Sequence, residues 1–210
     1  MRLAYRLAYA LGFVPWERVA TYPPAVRQIA LLLAAEEHGR DRPFGRALEL
    51  GCGRGHGSIV LARRGWQVTG IDFVGSALRA ARRAARAANV EIDFRQADLE
   101  RLAGADLGAP FRRFWDFGVL HGMRQAARIE IARQLTARAA PGAAALLFAW
   151  PPGRRGPLPR GMSREEIESA FHGWRVTGVQ PFAATGLPRP FLAVEPQVYR
   201  LQLSAAAPAG

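Results

Sequence analysis

Apolar positions along this chain follow two alternating periods. Short β-rich runs at Arg46–Leu50, Gln67–Ile71, Glu91–Gln96, Arg113–Asp116 and Ala143–Trp150 have the length and composition of strands. Between them, residues 57–64, Ser76–Ala88 and Gln125–Ala139 place apolar side chains at helical spacing, and a further helix is predicted from Ala25, after Pro23 and Pro24, to Glu37. Strands that alternate with helices predict a parallel, doubly wound sheet, because each crossover must run back over the sheet face. After the Pro- and Gly-rich stretch Pro151–Gly161, Ser163 and Glu166 have capping-box spacing, with Met162 and Ile167 as the hydrophobic staple, so a short helix should run to Phe171. Trp174–Val179 and Gln197–Leu203 then read as an antiparallel hairpin that closes the sheet. Arg79, Arg82, Arg83 and Arg86 fall opposite Leu78, Ala81 and Ala85, the pattern of a solvated helix face.

The first predicted strand breaks into Gly51, Gly53 and Gly55, followed directly by a helix. Glycines are needed where φ becomes positive or where a backbone must approach something closely, and the helix N-terminus offers free N–H groups to a nucleotide-derived ligand. A G-x-G-x-G run is weak by itself. Here the second strand ends on Asp72, about twenty residues after the first glycine, the spacing of a ribose-binding carboxylate in a βαβ unit. The other reading of Asp72 is a helix cap. A third strand runs into a further acid, Asp98. Gly57 leaves a dinucleotide-type glycine pattern open as an alternative.

From about Phe44 to Leu203, these residues resemble the class I S-adenosylmethionine-dependent methyltransferases. The resemblance implies an α/β, Rossmann-like, doubly wound, mostly parallel seven-stranded sheet with an antiparallel C-terminal hairpin strand. It also implies S-adenosylmethionine as cofactor and S-adenosylhomocysteine as product. Glu49, Gly51, Cys52, Gly53 and Gly55 would surround the methionine portion, Asp72 would hold the ribose, Phe73 would face the adenine, and Asp98 with Leu99 would bind the adenine edge. Within the superfamily, Phe111–Gly122 is similar to the thiopurine and tellurite-resistance enzymes, in which a pattern close to F-D-x-x-x-D-x-G-x-x-H recurs; Leu158–Ile167 resembles the same subgroup. Asp116, Gly118 and His121 match their places, while Arg112 replaces the usual acid. His121 is the candidate general base or acceptor-positioning residue, since an imidazole titrates near neutrality, with a loop histidine that shapes the pocket floor as the other reading, and Asp116 would orient it or touch the substrate. Tyr22 and Trp150 are assigned to the substrate side, with Trp16 and Tyr22 as a lid over donor and acceptor. Tyr5 and Tyr9 are expected to be packing residues.

Composition adjusts this picture in three ways. The 210 residues, half of them apolar, suit an N-terminal helical extension over 1–43, a cofactor-binding core over 44–203 and a short disordered tail over 204–210. The single Cys52 excludes an internal disulfide and fits a cytoplasmic setting, and no apolar run is long enough to span a bilayer. The net charge of +12 raises nucleic acid as a partner, yet all 29 basic residues are arginine and none is lysine, which fits codon bias as well as a binding surface. A nucleic-acid amino-methylating enzyme would carry D/N-P-P-Y/F/W after the fourth strand; Trp150–Gly153 follows the fifth, without the leading acid or amide and without the closing aromatic. A small-molecule acceptor is therefore expected, with nucleic acid, or cofactor binding without methyl transfer, as the rival readings. His38, His56 and His172 have no metal-ligand spacing with one another or with Cys52, so no metal is expected.

Overall fold

Seven strands form a single sheet in the order β3-β2-β1-β4-β5-β7-β6. The structure is a computed structural model, and it describes residues 6–9, 11, 12, 14, 22–108, 110–153, 160–182 and 195–204. Trp16 and Tyr5, and residues 205–210, lie outside the described residues, as do residues 154–159. From Pro23 onward, the α-helices among the described residues are α1 (Pro23–Glu37), α2 (His56–Arg64), α3 (Gly75–Ala87), α4 (Gln125–Thr136) and α5 (Arg164–Ala170). The strands are β1 (Arg46–Leu50), β2 (Gln67–Asp72), β3 (Asp93–Gln96), β4 (Phe111–Phe117), β5 (Ala139–Ala149), β6 (Trp174–Pro181) and β7 (Gln197–Leu203). β1 pairs in parallel with β2 and β4, and β4 in parallel with β5, whereas β7 pairs antiparallel with both β5 and β6. This is the Rossmann-like α/β sheet expected from the alternation of periods.

Period-two alternation sorts the side chains into two layers. On one face Leu48, Leu50, Phe114, Ala145, Leu147 and Leu201 pack with Ile131 and Leu135 of α4 and Ile167 of α5. On the other face Ala47, Val68, Trp115, Leu146 and Phe148 meet Ala25, Ile29 and Leu33 of α1 and Leu61 of α2. The predicted capping box on α5 is present in both directions, with Ser163 Oγ accepting from Glu166 N and Glu166 Oε2 accepting from Ser163 N. Prolines at the first positions of α1 extend it two residues beyond the predicted start, since Pro already has a helical φ and needs no N–H there.

The largest difference from expectation lies in the alanine-rich stretch 137–145. Helix was predicted to run to Ala139, but α4 ends at Thr136 and β5 begins at Ala139, ahead of the predicted start at Ala143. Alanine side chains carry no strand period, so sequence pattern gave helix propensity the decision there. In the structure Arg138 instead turns its guanidinium onto the Gln134 and Leu102 carbonyls, ending the helix. Ala139 pairs with Phe111 before the register shifts.

Candidate active site

The chain passes from β1 outward to β2 and β3, then returns to β4 on the other side of β1. At the carboxyl ends of β1 and β4 the connections therefore diverge, and a crevice opens where such sheets bind ligands. Two loops line it. The first follows β1, with positive φ at Gly51 (61°), Gly53 (52°) and Gly55 (84°). The second follows β4 and carries Gly118, at φ 93°, and a short 3-10 turn at Leu120–Gly122. The loops touch: a Cβ on Gly51 would collide with Val119 of the second loop. A Cβ on Gly55 would lie 3.0 Å from both Ala81 Cβ and Phe94 Cζ. Close packing thus explains Gly51 and Gly55, in addition to any ligand.

Asp72, buried at the end of β2, binds the first loop to the turn that leads into α3. Its Oδ2 accepts from Gly53 N at 2.9 Å and its Oδ1 from Val74 N at 2.8 Å. These two bonds fix its orientation at the crevice. Phe73, half-buried, and Gln96 line a cavity of about 340 Å³ at the same edge, together with Arg6, Val74, Gly75, Ser76 and Arg79. Asp98 caps the next 3-10 turn through Glu100 N at 3.1 Å, and Leu99 is buried in the first core layer. Cys52 is buried against Leu78, Ala81, Ala85 and Phe94, where burial pushes its thiol well above the ordinary range. It acts there as a small apolar spacer.

Glu49 is buried on β1, where its Oε2 accepts from Ser58 Oγ. Burial pushes its carboxyl up to about 8; the nearby Asp72 and Asp116 charges add to the shift, and the Ser58 hydrogen bonds oppose it. Gly57 is what admits this carboxyl, because a Cβ there would collide with Glu49 Oε1 and lie 3.3 Å from Trp115 Nε1. Gly57 therefore belongs to helix packing within α2, and its conformation gives no support to a dinucleotide-type loop.

Asp116, near the end of β4, is buried too, and its carboxyl is pushed up to about 7 by burial against the opposing pull of the Val119 and Leu120 amides. Its Oδ1 accepts from Val119 N at 2.9 Å, and both oxygens lie 3.3–3.4 Å from Leu120 N. Its place is beneath the second loop, whose turn it shapes. His121 is 3% exposed. Its ring stands edge-on to Trp150 at 5.5 Å and is tilted 6.3 Å from Phe148, which is itself edge-on to Trp150 at 4.9 Å. Tyr22, the residue before α1, is half-buried against the layer that contains Phe148 and Phe182. The structure thus brings together Glu49, Asp72, Asp116, His121 and Trp150 at one edge of the sheet.

One residue at this edge was missed by pattern reading. Arg128 of α4 is fully buried, with its guanidinium bonded to the carbonyls of Leu120, His121 and Gly161. Its sequence signal was its place on the apolar stripe of α4, three residues before Ile131 and seven before Leu135. Among the described residues, no group of three or more His, Cys, Asp or Glu side chains is arranged to hold a metal ion. No described helix is long and apolar enough to cross a membrane.

The fold and this crevice resemble those of the class I S-adenosylmethionine-dependent methyltransferases. Residues 47–142, from β1 into β5, match the family described as a methyltransferase domain. The chain is 36% identical over 113 residues to the ribosomal RNA small subunit methyltransferase C of Alcanivorax borkumensis, covering 52% of this chain and 32% of that one. It is 46% identical over 61 residues to the ubiquinone biosynthesis O-methyltransferase of Alkalilimnicola ehrlichii, covering 29% of this chain and 25% of that one. The matched stretches thus span a third or less of these curated relatives. The solved 1,6-didemethyltoxoflavin-N1-methyltransferase of Burkholderia thailandensis shares the fold, with a TM-score of 0.72 at 20% identity over 97% of this chain and 87% of that one. S-adenosylmethionine is the cofactor of such a domain, and the residues here fit it: a glycine loop with positive φ is held beside a buried carboxylate at the end of β2.

Proposed function

We propose that this chain transfers a methyl group from S-adenosylmethionine to an oxygen, nitrogen or sulfur atom of a small molecule. The observation that carries this reading is the packed aromatic cluster of His121, Phe148 and Trp150 at the carboxyl ends of β4 and β5. Rings at these spacings suit a flat or cationic acceptor and help exclude water. The exposed arginines of α3 lie on the opposite side, over β2 and β3, so they do not border the acceptor region as a phosphate-binding surface would.

When bound, the sulfonium supplies an already activated methyl group. The protein's own tasks are to bind, align and dry the site. Asp72 and the glycine loop hold the donor's ribose and methionine ends. Gly118 allows the second loop to turn close to the His121 ring, since a Cβ there would lie 3.2 Å from His121 Cε1. His121 accepts the proton of an acceptor that must lose one, while Asp116 fixes the turn beneath it through the Val119 and Leu120 amides. Tyr22, the residue before α1, closes the site from the N-terminal side in this reading.

Methyl-labelled S-adenosylmethionine incubated with a panel of phenols, amines, thiols and flat heterocycles, and in parallel with RNA, tests the proposal. Label entering one small-molecule class supports it; label entering RNA alone would replace it with the nucleic-acid reading. His121→Ala should slow transfer to a protonated acceptor by about 10²- to 10⁴-fold.

A further inference from the structure

We propose that Arg128 is the positioning residue of the acceptor site, a single guanidinium that sets the distance between the His121 loop and the Trp150 wall. The inference rests on the proposed acceptor role of His121. Arg128 Nε donates to Leu120 O at 2.9 Å, and Nη2 donates to His121 O at 3.2 Å and to Gly161 O at 2.8 Å. Nη1 donates to Gln125 Oε1 at 3.2 Å and is 3.4 Å from Glu166 Oε2. The five N–H groups of a guanidinium therefore face five acceptors. Three of these are backbone carbonyls of two segments that are distant in sequence.

Both walls of the acceptor region hang on those carbonyls. Leu120 and His121 form the turn that presents the imidazole. Gly161 precedes Met162, whose N–H donates to Trp150 O at 2.8 Å, so fixing Gly161 also fixes the exit of β5 at Trp150. The charge is retained at the site by Glu166, which the α5 capping box and Arg160 hold in place. Burial works against the Arg128 charge, and Glu166 opposes that effect. Stability alone gives a poor account of such a group, because a buried ion is often no better than an apolar side chain of similar volume. A planar fork that reads three carbonyl directions at once supplies geometry that neither an apolar side chain nor an ammonium can.

The test uses the full chain with Arg128→Lys, which keeps the charge and most of the volume, and Glu166→Gln, which leaves the fork in place but removes its charge partner. Expected for Arg128→Lys are a folded protein, S-adenosylhomocysteine affinity within about threefold of wild type, and a kcat reduced about 10- to 100-fold, the scale of loss from misplacement by about 1 Å. The imidazole resonances of His121 should shift and titrate over a changed pH range, with a smaller change in Glu166→Gln. In Arg128→Ala, added guanidinium should restore part of the lost rate and of the His121 signal. Unchanged His121 resonances in folded Arg128→Lys would overturn the proposal, as would a rate loss that only tracks weakened cofactor binding. If the resonances move but the wild-type protein methylates no small molecule, the clamp stands and the proposed function fails.

Discussion

Two buried arginines at opposite ends of the sheet use their charge in different ways. Arg113, near the start of β4, meets a carboxylate: its Nη2 donates to Glu36 Oε2 at 2.5 Å, its guanidinium lies 5.4 Å from the Trp66 ring, and Arg200 binds the same Glu36. Burial disfavours the Glu36 charge, but the two arginines outweigh it and hold the carboxyl below its ordinary range. Nε and Nη1 of Arg113 have no hydrogen-bond partner among the described residues, which is tolerable where the ion pair only joins α1 to the sheet. Arg128, at the other end, has an acceptor for every N–H and spends them mostly on backbone. Asp116 beside it, and Glu49 on the neighbouring strand β1, are pushed toward their neutral forms by burial. Where the charges only hold elements together they are paired with each other; where the strands end at the crevice, Glu49 and Asp116 are pushed toward their neutral forms and the loops are held by directed hydrogen bonds.

The sharpest way to break this contrast is at the ion pair. Glu36→Ala leaves Arg113 buried without its counter-charge, and should cost about 3–5 kcal/mol in denaturant unfolding. S-adenosylhomocysteine affinity in the folded fraction should stay near wild type, because the network lies at the opposite strand ends. A selective loss of cofactor affinity there would contradict the division of labour.

A second effect, on the order of 3 kcal/mol, is expected from pH. A carboxyl whose folded pKa is raised binds its proton more tightly folded than unfolded. Its contribution is therefore complete below the unfolded value near 4 and is lost as pH climbs through about 7 for Asp116 and about 8 for Glu49. Without cofactor, the melting temperature should fall from pH 5 to pH 8.5, and Glu49→Gln should flatten the upper part of that curve. A flat wild-type profile would mean that burial raises neither carboxyl. Smaller still, Gly57→Ala forces a methyl group into the space held by Glu49 and should cost about 1–3 kcal/mol by calorimetry. A neutral result would show that the Glu49 pocket is slack.

What could be read in the sequence had a local cause. β1 and β7 have the predicted bounds, and α5 has its capping box, because strand period and caps are written within a few residues. The glycine loop and Asp72 were legible because their spacing belongs to one βαβ unit. The two buried arginines were not, because all 29 basic residues are arginine and type alone separates none of them. Position does mark Arg128, which begins the buried stripe of Ile131 and Leu135 on α4, and Glu36, the partner of Arg113, which continues that of Ala25, Ile29 and Leu33 on α1. A charge on an apolar stripe is the signal that identifies such partners.

Calorimetric titration of S-adenosylhomocysteine into the wild-type protein and into Asp72→Ala tests the central claim, that the crevice between β1 and β4 is a cofactor site held by the glycine loop and Asp72. The account predicts one site in the wild-type protein and an affinity about 10²-fold weaker in the folded variant, the effect of losing one to two charge-assisted hydrogen bonds at about 1.5–3 kcal/mol each. Equal affinity in the two folded proteins, or no binding to either, would contradict it.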